Sequence, residues 1–219
     1  MIPLSEVTSR VRTRYESESG GSSTRYTDED IRLFVNEGLE TLAEATSFYE
    51  RYVTIPLAEN RTYYDVRGFT PETVVRIKSV WSTARNDWLR PVAETDLDIS
   101  WEEATGAPLV FFTRGIYWIG VQPKPTSSET GYLRVYFAGI PGRFTHPQAV
   151  LGDLPNDHVP ALEDYALYEM AALDRQTKLA LLHWKEYEAR EKSLTDFTGR
   201  RLVGSRAGRF GRIQRRQQP

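Results

Sequence analysis

Apolar residues recur at helical spacing near the start of the chain, at Leu4, Val7, Val11 and Tyr15. This spacing of three and four positions predicts a helix over 4–15. The following stretch, 16–26, is polar and rich in Gly and Ser, which predicts a loop. The Thr27 hydroxyl can then cap a second helix, and the three acidic residues that follow it lie where the helix dipole favours negative charge. The apolar face of this second helix comprises Ile31, Phe34, Val35, Gly38, Leu39 and Leu42.

The pattern changes at Phe48 to short runs that are rich in β-branched and aromatic residues and separated by turn signals. Such runs predict a multi-stranded antiparallel sheet, with strands at 49–57, 62–66, 74–81, 88–92, 109–113, 116–121 and 132–138. Arg114-Gly115 predicts a hairpin turn, and a helical turn is expected within 94–104. Four of the five Trp lie in this block, and we expect them to pack in its core.

Helical periodicity returns after an irregular stretch that is rich in Pro and Gly. Asp157 is expected to cap a helix whose first turn accommodates Pro160. The polar break at 174–176 predicts a further helix, although one continuous helix is an open alternative. The expected inward residues are Leu162, Tyr165, Ala166, Met170 and Leu173 in the first helix, and Ala180, Trp184, Tyr187 and Leu194 in the second. We expect Trp184 to be fully buried.

Together these patterns predict an α+β fold. Helices from both ends of the chain form a helical bundle, an antiparallel β subdomain is inserted between them, and an extended Arg-rich tail follows. The expected segments are the N-terminal bundle helices at 1–48, the β subdomain at 49–139, an irregular loop at 140–156, the C-terminal bundle helices at 157–198 and the tail at 199–219.

Composition argues against an enzyme. The 219 residues include no Cys, which excludes disulfide scaffolds, thiol nucleophiles and iron–sulfur clusters. The three His, at 146, 158 and 183, are expected to be solvated or at the edge of the core. Carboxylate pairs occur at 28/30, 96/98 and 102/103, and capping explains the first two. No phosphate-binding loop or nucleophile motif occurs, so the sequence predicts neither a cofactor nor a metal site.

The longest near-continuous apolar run, at 115–121, is too short to span a membrane, and the N-terminus lacks the basic and apolar blocks of a signal peptide. We therefore expect a soluble protein with no membrane partner.

Charge divides the chain into an acidic body and a basic tail. The formal net charge is −2, but the tail carries seven Arg and no acid, which leaves −9 for residues 1–198. With many Gly and few apolar residues the tail cannot fold alone, so we interpret it as an arm that docks on a partner. Its candidate partner-binding residues are Arg200, Arg201, Leu202, Val203, Arg206, Arg209, Phe210, Arg212, Ile213, Arg215 and Arg216. The apolar members favour a protein partner, and nucleic acid is the other candidate.

Several motifs resemble those of one protein family in both order and spacing. They are the helix start TDEDIRLFVNEGLE within 26–40, the first strand pair at 51–66, the stretches TGAPLVFF at 105–112 and GVQPKP at 120–125, and the helix start at 154–167. Over about residues 1–195 the chain resembles the head-to-tail adaptor (connector) proteins of tailed bacteriophages. Gly38 stands where the family more often has Ala.

The resemblance implies a structural virion protein rather than an enzyme. Such a protein assembles in the host cytoplasm as a twelve-fold ring beneath the portal protein, at the head–tail interface. The ring joins the head to the tail or to its stopper protein and extends the DNA channel without sequence-specific binding, while the C-terminal segment docks on the portal. Two alternatives stay open: a nucleic-acid-binding module that uses the Arg-rich tail, and another phage neck or tail-completion protein.

Overall fold

The computed structural model describes residues 2–20, 25–97, 101–126 and 131–214, of which 102 and 201–214 are described by their backbone alone. The chain divides into two compact units. The helical unit comprises residues 1–48 and 142–219, and the β unit comprises residues 49–141. Helices at both chain ends and strands between them confirm the predicted α+β class.

The helical unit contains four α-helices in its described part: α1 (Leu4–Ser19), α2 (Asp28–Thr46), α3 (Pro160–Leu173) and α4 (Thr177–Gln214). Helix α3 packs against the other three. The apolar stripe of α1 is buried as predicted, and so are Ile31, Val35 and Leu42 of α2. Helices from both chain ends therefore share one core.

The two N-terminal helices begin and end at clear local signals. At the start of α2, the Thr27 hydroxyl accepts a hydrogen bond from the Asp30 amide at 3.2 Å. The Thr27 amide in turn donates to the Asp30 carboxylate at 2.8 Å, which completes a capping box. Helix α1 continues four residues beyond its predicted end because the first residue that favours a left-handed conformation is Gly20, with φ of 66°.

Gly38 of α2 allows a close approach of α3. A Cβ atom placed on Gly38 would lie 2.9–3.0 Å from three carbon atoms of Tyr165, including its Cβ and Cγ. These atoms are at the base of the side chain, so they cannot move without shifting α3. The departure from Ala at this position thus has a packing cause.

Gly38→Ala is therefore expected to destabilise the protein by about 1–3 kcal/mol, although Ala has a helix propensity that is better by about 1 kcal/mol. Urea denaturation measures the change. Gly199→Ala is the matched control, because Gly199 is also helical and a Cβ there meets nothing within 4 Å. A stabilising Gly38→Ala change would contradict the packing argument.

The C-terminal half of the bundle differs in detail from the prediction. The break at 174–176 separates two helices, with Arg175 at a φ of 59°, so the continuous-helix alternative is wrong. Asp157 is not the cap of α3: it lies in a 3-10 turn, and Val159 precedes α3 without a side-chain cap bond. At the helix end, Leu173 is 53% exposed, and Trp184 is only half-buried.

The conformation of the tail also differs from the prediction. Instead of an extended segment, α4 continues as a helix to Gln214, and 215–219 lie outside the described residues. A helix that is already nucleated at Thr177 extends without a second nucleation cost. The Arg, Leu, Ala and Gln residues of the tail have good helix propensities, which offsets part of the cost of its Gly residues.

The β unit contains two four-stranded sheets in its described part, ordered β1-β8-β3-β4 and β2-β7-β6-β5. The strands are β1 (Glu50–Pro56), β2 (Tyr63–Asp65), β3 (Thr73–Ser82), β4 (Asp87–Trp88), β5 (Arg90–Pro91), β6 (Val110–Arg114), β7 (Trp118–Gln122) and β8 (Tyr132–Ile140). All pairs are antiparallel except β5 with β6. Strands β6 and β7 form the predicted hairpin, with Gly115 at a φ of 64°. Both sheets contribute to one core.

The tryptophans of the β unit do not fill its core, so that prediction is wrong. Trp81, Trp88 and Trp101 are half-buried, and Trp118 is 39% exposed. The aromatic side chains instead pack on one another: Trp88 lies 5.2 Å from both Trp81 and Tyr136, measured between ring centroids. The interior is filled instead by aliphatic residues such as Val80 and Val135 and by the rings of Tyr64 and Phe137.

Candidate functional site

The predicted docking residues lie at the C-terminal end of α4. Arg200 is exposed, and it is the one of the eleven whose side chain the structure describes. Four arginines, Arg201 among them, lie with Leu202, Val203, Phe210 and Ile213 on the helical continuation of α4, which is described by its backbone alone. Arg215 and Arg216 lie outside the described residues. The assignment of these residues to a partner stays a prediction.

The helix that carries the tail is firmly held by the bundle up to Thr198. Tyr187 and Leu194 are completely buried. The Thr198 hydroxyl donates a hydrogen bond to the Thr46 carbonyl at 3.3 Å, which joins α4 to the end of α2. Beyond this bond, Gly199 has open space around its Cβ position. The described packing therefore stops where the basic tail begins.

A buried carboxylate joins three helices of the bundle. Asp164 of α3 has no exposed side-chain surface, and its two oxygens accept hydrogen bonds from Arg14 of α1 at 2.9 Å and Arg190 of α4 at 2.5 Å. Burial raises the pKa of the Asp164 carboxyl above its ordinary value, and the two guanidinium groups oppose that shift. Neighbouring Glu163, 7% exposed, contacts Arg10 and Arg14 at 3.4 and 3.8 Å. This arrangement fixes α1, α3 and α4 relative to one another.

His183 lies beside this network and is 1% exposed, so the prediction of a solvated or core-edge histidine is wrong. Its Nε2 atom lies 2.8 Å from a Glu18 carboxylate oxygen, and its Nδ1 atom lies 3.6 Å from Glu186. The sequence does contain a signal for this burial, because His183 falls between Ala180 and Tyr187 on the inward stripe of α4.

The same residues bear on metal binding. Asp164, His183 and Glu186 bring one possible ligand atom each within 4.8 Å of one another. Both oxygens of Asp164, however, already accept hydrogen bonds from guanidinium groups. A divalent cation would have to displace an arginine and approach the other positive charge, which is electrostatically unfavourable. The arrangement is therefore best explained as an ionic network that holds helices together.

A second polar cluster fixes the end of α3. The Asp174 carboxylate accepts hydrogen bonds from the Tyr15 hydroxyl, from Arg25 and, at 3.0 Å, from the Tyr26 hydroxyl. These hydrogen bonds lower the pKa of Asp174 below its ordinary value, and the bond from Tyr15 has the largest effect. Burial and the bond to Asp174 raise the pKa of Tyr26 to about 12. The cluster ties the residues that flank the first loop to the turn between α3 and α4.

Asp174→Asn is expected to destabilise the helical unit by on the order of 1 kcal/mol at neutral pH, because the charged acceptor is lost while part of the site is open to solvent. Since the pKa of Asp174 is lowered on folding, its charge contributes stability above about pH 4 and loses that contribution as the pH falls below this value. The difference in unfolding free energy between wild type and variant should therefore shrink towards pH 3. A difference that is independent of pH would contradict this explanation.

Of the acidic pairs noted in the sequence, the first has structural partners. Asp30 belongs to the capping box of α2, and Asp28 contacts Arg12 at 2.5 Å. Asp96 lies in a 3-10 turn, whereas Asp98 lies outside the described residues. Among the helices that the structure describes, none combines the length and hydropathy needed to cross a membrane.

Comparison with known proteins identifies one family. A search of curated proteins gave no match. The family model of the SU10 adaptor protein, in contrast, matches residues 2–212, which span the β unit and nearly all of the helical unit. This match confirms the resemblance to phage head-to-tail adaptors found in the sequence motifs. The chain therefore belongs to the SU10 adaptor protein family and has a structural adaptor role in the neck of a bacteriophage virion.

Proposed function

We propose that the protein assembles as a twelve-fold ring beneath the portal protein, joins the head to the tail or its stopper protein, and extends the DNA channel. The observation that carries this proposal is membership of the adaptor family over residues 2–212. A role of this kind depends on contacts between proteins, and it requires no catalytic residues or cofactor.

The charge of the body supports a channel function. In the helical unit without its tail, residues 1–48 and 142–198 carry 11 Lys and Arg against 19 Asp and Glu, a net charge of −8. Residues 49–141 add a further −1. A protein body with excess negative charge repels the DNA phosphates, so DNA passes without being held.

The tail has the opposite charge and a suitable position for docking. Its seven Arg follow directly on the last described packing contact of α4, at Thr198. We propose that this basic segment binds the portal protein, with arginines on acidic groups and its apolar residues in pockets. The downstream face of the ring would then bind the tail or stopper protein.

Reconstitution on heads tests the proposal. Purified DNA-filled heads that carry the portal but lack the adaptor are mixed with the protein, and the mass gained per head is measured. Twelve copies per portal are expected, with the DNA retained. Saturation at another copy number would overturn the twelve-fold ring, and absence of binding would overturn the portal partnership.

The Arg-rich tail also supports a second candidate, a nucleic-acid-binding module. If the tail binds DNA phosphates through all seven arginines, the logarithm of the affinity should fall with a slope of about −6 against the logarithm of the salt concentration. A steep slope of this kind with bare DNA, together with no binding to heads, would favour this candidate over the ring.

A further inference from the structure

The outward face of α4 exposes leucines between regularly spaced lysines. Leu181 is 56% exposed and Leu182 is 51% exposed. They lie on a solvent-facing stripe that we call the α4 face, made of Lys178, Leu181, Leu182, Lys185, Glu188, Ala189 and Lys192. Neighbouring exposed leucines rimmed by charged residues are typical of a surface that another protein covers.

The lysines of the α4 face have no partner in the described part of the chain. Lys178, Lys185 and Lys192 recur at intervals of seven residues, about 10.5 Å along a helix. None of the three forms an ion pair with a described residue, and Glu188 is the one acid on the stripe. The face is therefore both apolar at its centre and positively charged along its length.

Helix α2 carries a face of the opposite charge. Its outward residues, which we call the α2 face, are Glu29, Leu33, Glu37, Glu40 and Glu44, and Leu33 is 42% exposed. Glu29 and Glu40 contact Arg32 and Arg143, but Glu37 and Glu44 form no ion pair with a described residue. Four glutamates against these two arginines leave negative charge in excess on the α2 face. Burial, and then the charge of Glu37, also raise the pKa of nearby Glu169.

We propose that the α4 face of one copy docks on the α2 face of the next copy, and that this contact repeats around the ring. The inference rests on the proposed ring function and identifies the surfaces by which the copies bind one another. Lys178 to Lys192 and Glu29 to Glu44 span about 21 and 22 Å, so the two faces match in length. Lys185 and Lys192 have the same seven-residue spacing as Glu37 and Glu44, which allows charges to pair along two packed helices.

Charge complementarity selects a second copy as the occupant, and it selects the symmetry of the contact. A contact between two α4 faces would place lysines against lysines, and a contact between two α2 faces would place glutamates against glutamates. Repulsion between like charges disfavours both. Each copy instead offers one face of each kind. A contact between different faces is heterologous, so it propagates from copy to copy and closes as a ring when the rotation allows.

Cysteine cross-linking tests the contact directly, because the natural chain has no Cys. The variant Leu33→Cys/Leu182→Cys, bound to portal-bearing heads and oxidised, should give a ladder of covalent multimers. Each single variant alone should stay monomeric, and an equal mixture of the two single variants should give dimers at most. Dimers from Leu182→Cys alone would show a symmetric contact and overturn the proposal.

Charge reversal provides an independent test. Restored binding when two variants are mixed would exclude misfolding as the cause of a loss. Lys185→Glu/Lys192→Glu and Glu37→Lys/Glu44→Lys should each lower the number of copies on heads by about tenfold or more. Mixing the two variants should restore it, since each then meets an oppositely charged face. The matched controls are Arg76→Glu/Arg85→Glu and Glu59→Lys/Glu103→Lys, pairs of exposed residues in the β unit, which should bind normally.

The outcomes separate this inference from the proposed function. A full complement of wild-type copies on heads, with no cross-links and with no effect of charge reversal, would overturn the α4–α2 contact and leave the ring intact. Cross-linked ladders in concentrated solution, with no binding to heads, would support the contact between copies and overturn the portal-bound ring.

Discussion

Truncation after Thr198 is expected to abolish attachment to portal-bearing heads while both units stay folded. Leu194 is the last residue of the described core, and Gly199 and Arg200 are exposed, so we expect removal of the segment to leave the described core intact. The free energy of unfolding of the truncated chain should therefore lie within about 0.5 kcal/mol of that of the full chain. Its affinity for heads should fall by about a hundredfold or more, which corresponds to about 2.7 kcal/mol of lost binding free energy.

Two full-length variants show which property of the tail matters. Replacing all seven tail arginines with Gln removes the positive charge and should also prevent attachment. Replacing them with Lys keeps the charge but removes the bidentate guanidinium groups, so an intermediate affinity is expected. Normal binding by the truncated chain, measured as copies per head at saturation, would overturn the role of the tail in portal docking.

The sequence predicts the order of elements well because each local signal has a direct structural consequence. Short runs of β-branched and aromatic residues on either side of the Arg114-Gly115 turn define the β6–β7 hairpin, and Thr27 with Asp30 defines the start of α2. The separation of α3 from α4 follows likewise from the polar residues at 174–176. These features depend on neighbours within a few positions along the chain.

Features that depend on distant partners could not be predicted in the same way. The parallel pairing of β5 with β6 requires knowledge of which strands meet in space. The outward position of Trp88 depends on cross-strand neighbours such as Tyr136, and the contact of His183 with Glu18 depends on how α1 and α4 meet in space. Periodicity alone indicates which face is apolar, but it does not indicate whether charged residues nearby are paired and buried.

The features of the candidate site also divide into those that are local in the sequence and those that depend on the fold. Composition alone identifies the basic tail, since seven Arg without an acid in 21 residues is a local property. The opposite charges of the α2 and α4 faces emerge only when the two helices are seen to bury their other sides in one core. The faces that stay exposed are then the ones available for contacts between copies.

Replacing the buried carboxylate at the centre of the bundle should have the largest effect on stability. Asp164→Ala removes the shared partner of Arg14 and Arg190 and leaves two charged groups beside an apolar core. Removing one partner of a buried ion pair typically costs 3–5 kcal/mol. We expect a loss of about 3 kcal/mol, at the lower end, because the two arginine side chains are 31% and 40% exposed and can be partly hydrated.

Denaturant melts of three variants measure the effect and its cause. Asp164→Asn keeps the size and a hydrogen-bond acceptor, so its loss should be smaller than that of Asp164→Ala. Asp196→Ala, at an exposed acid of the same bundle on α4, should change the unfolding free energy by less than about 0.5 kcal/mol. If Asp164→Ala costs no more than Asp196→Ala, then Asp164 does not hold α1, α3 and α4 together. In that case apolar packing and the other polar contacts of the bundle, such as those of Asp174, hold these helices together.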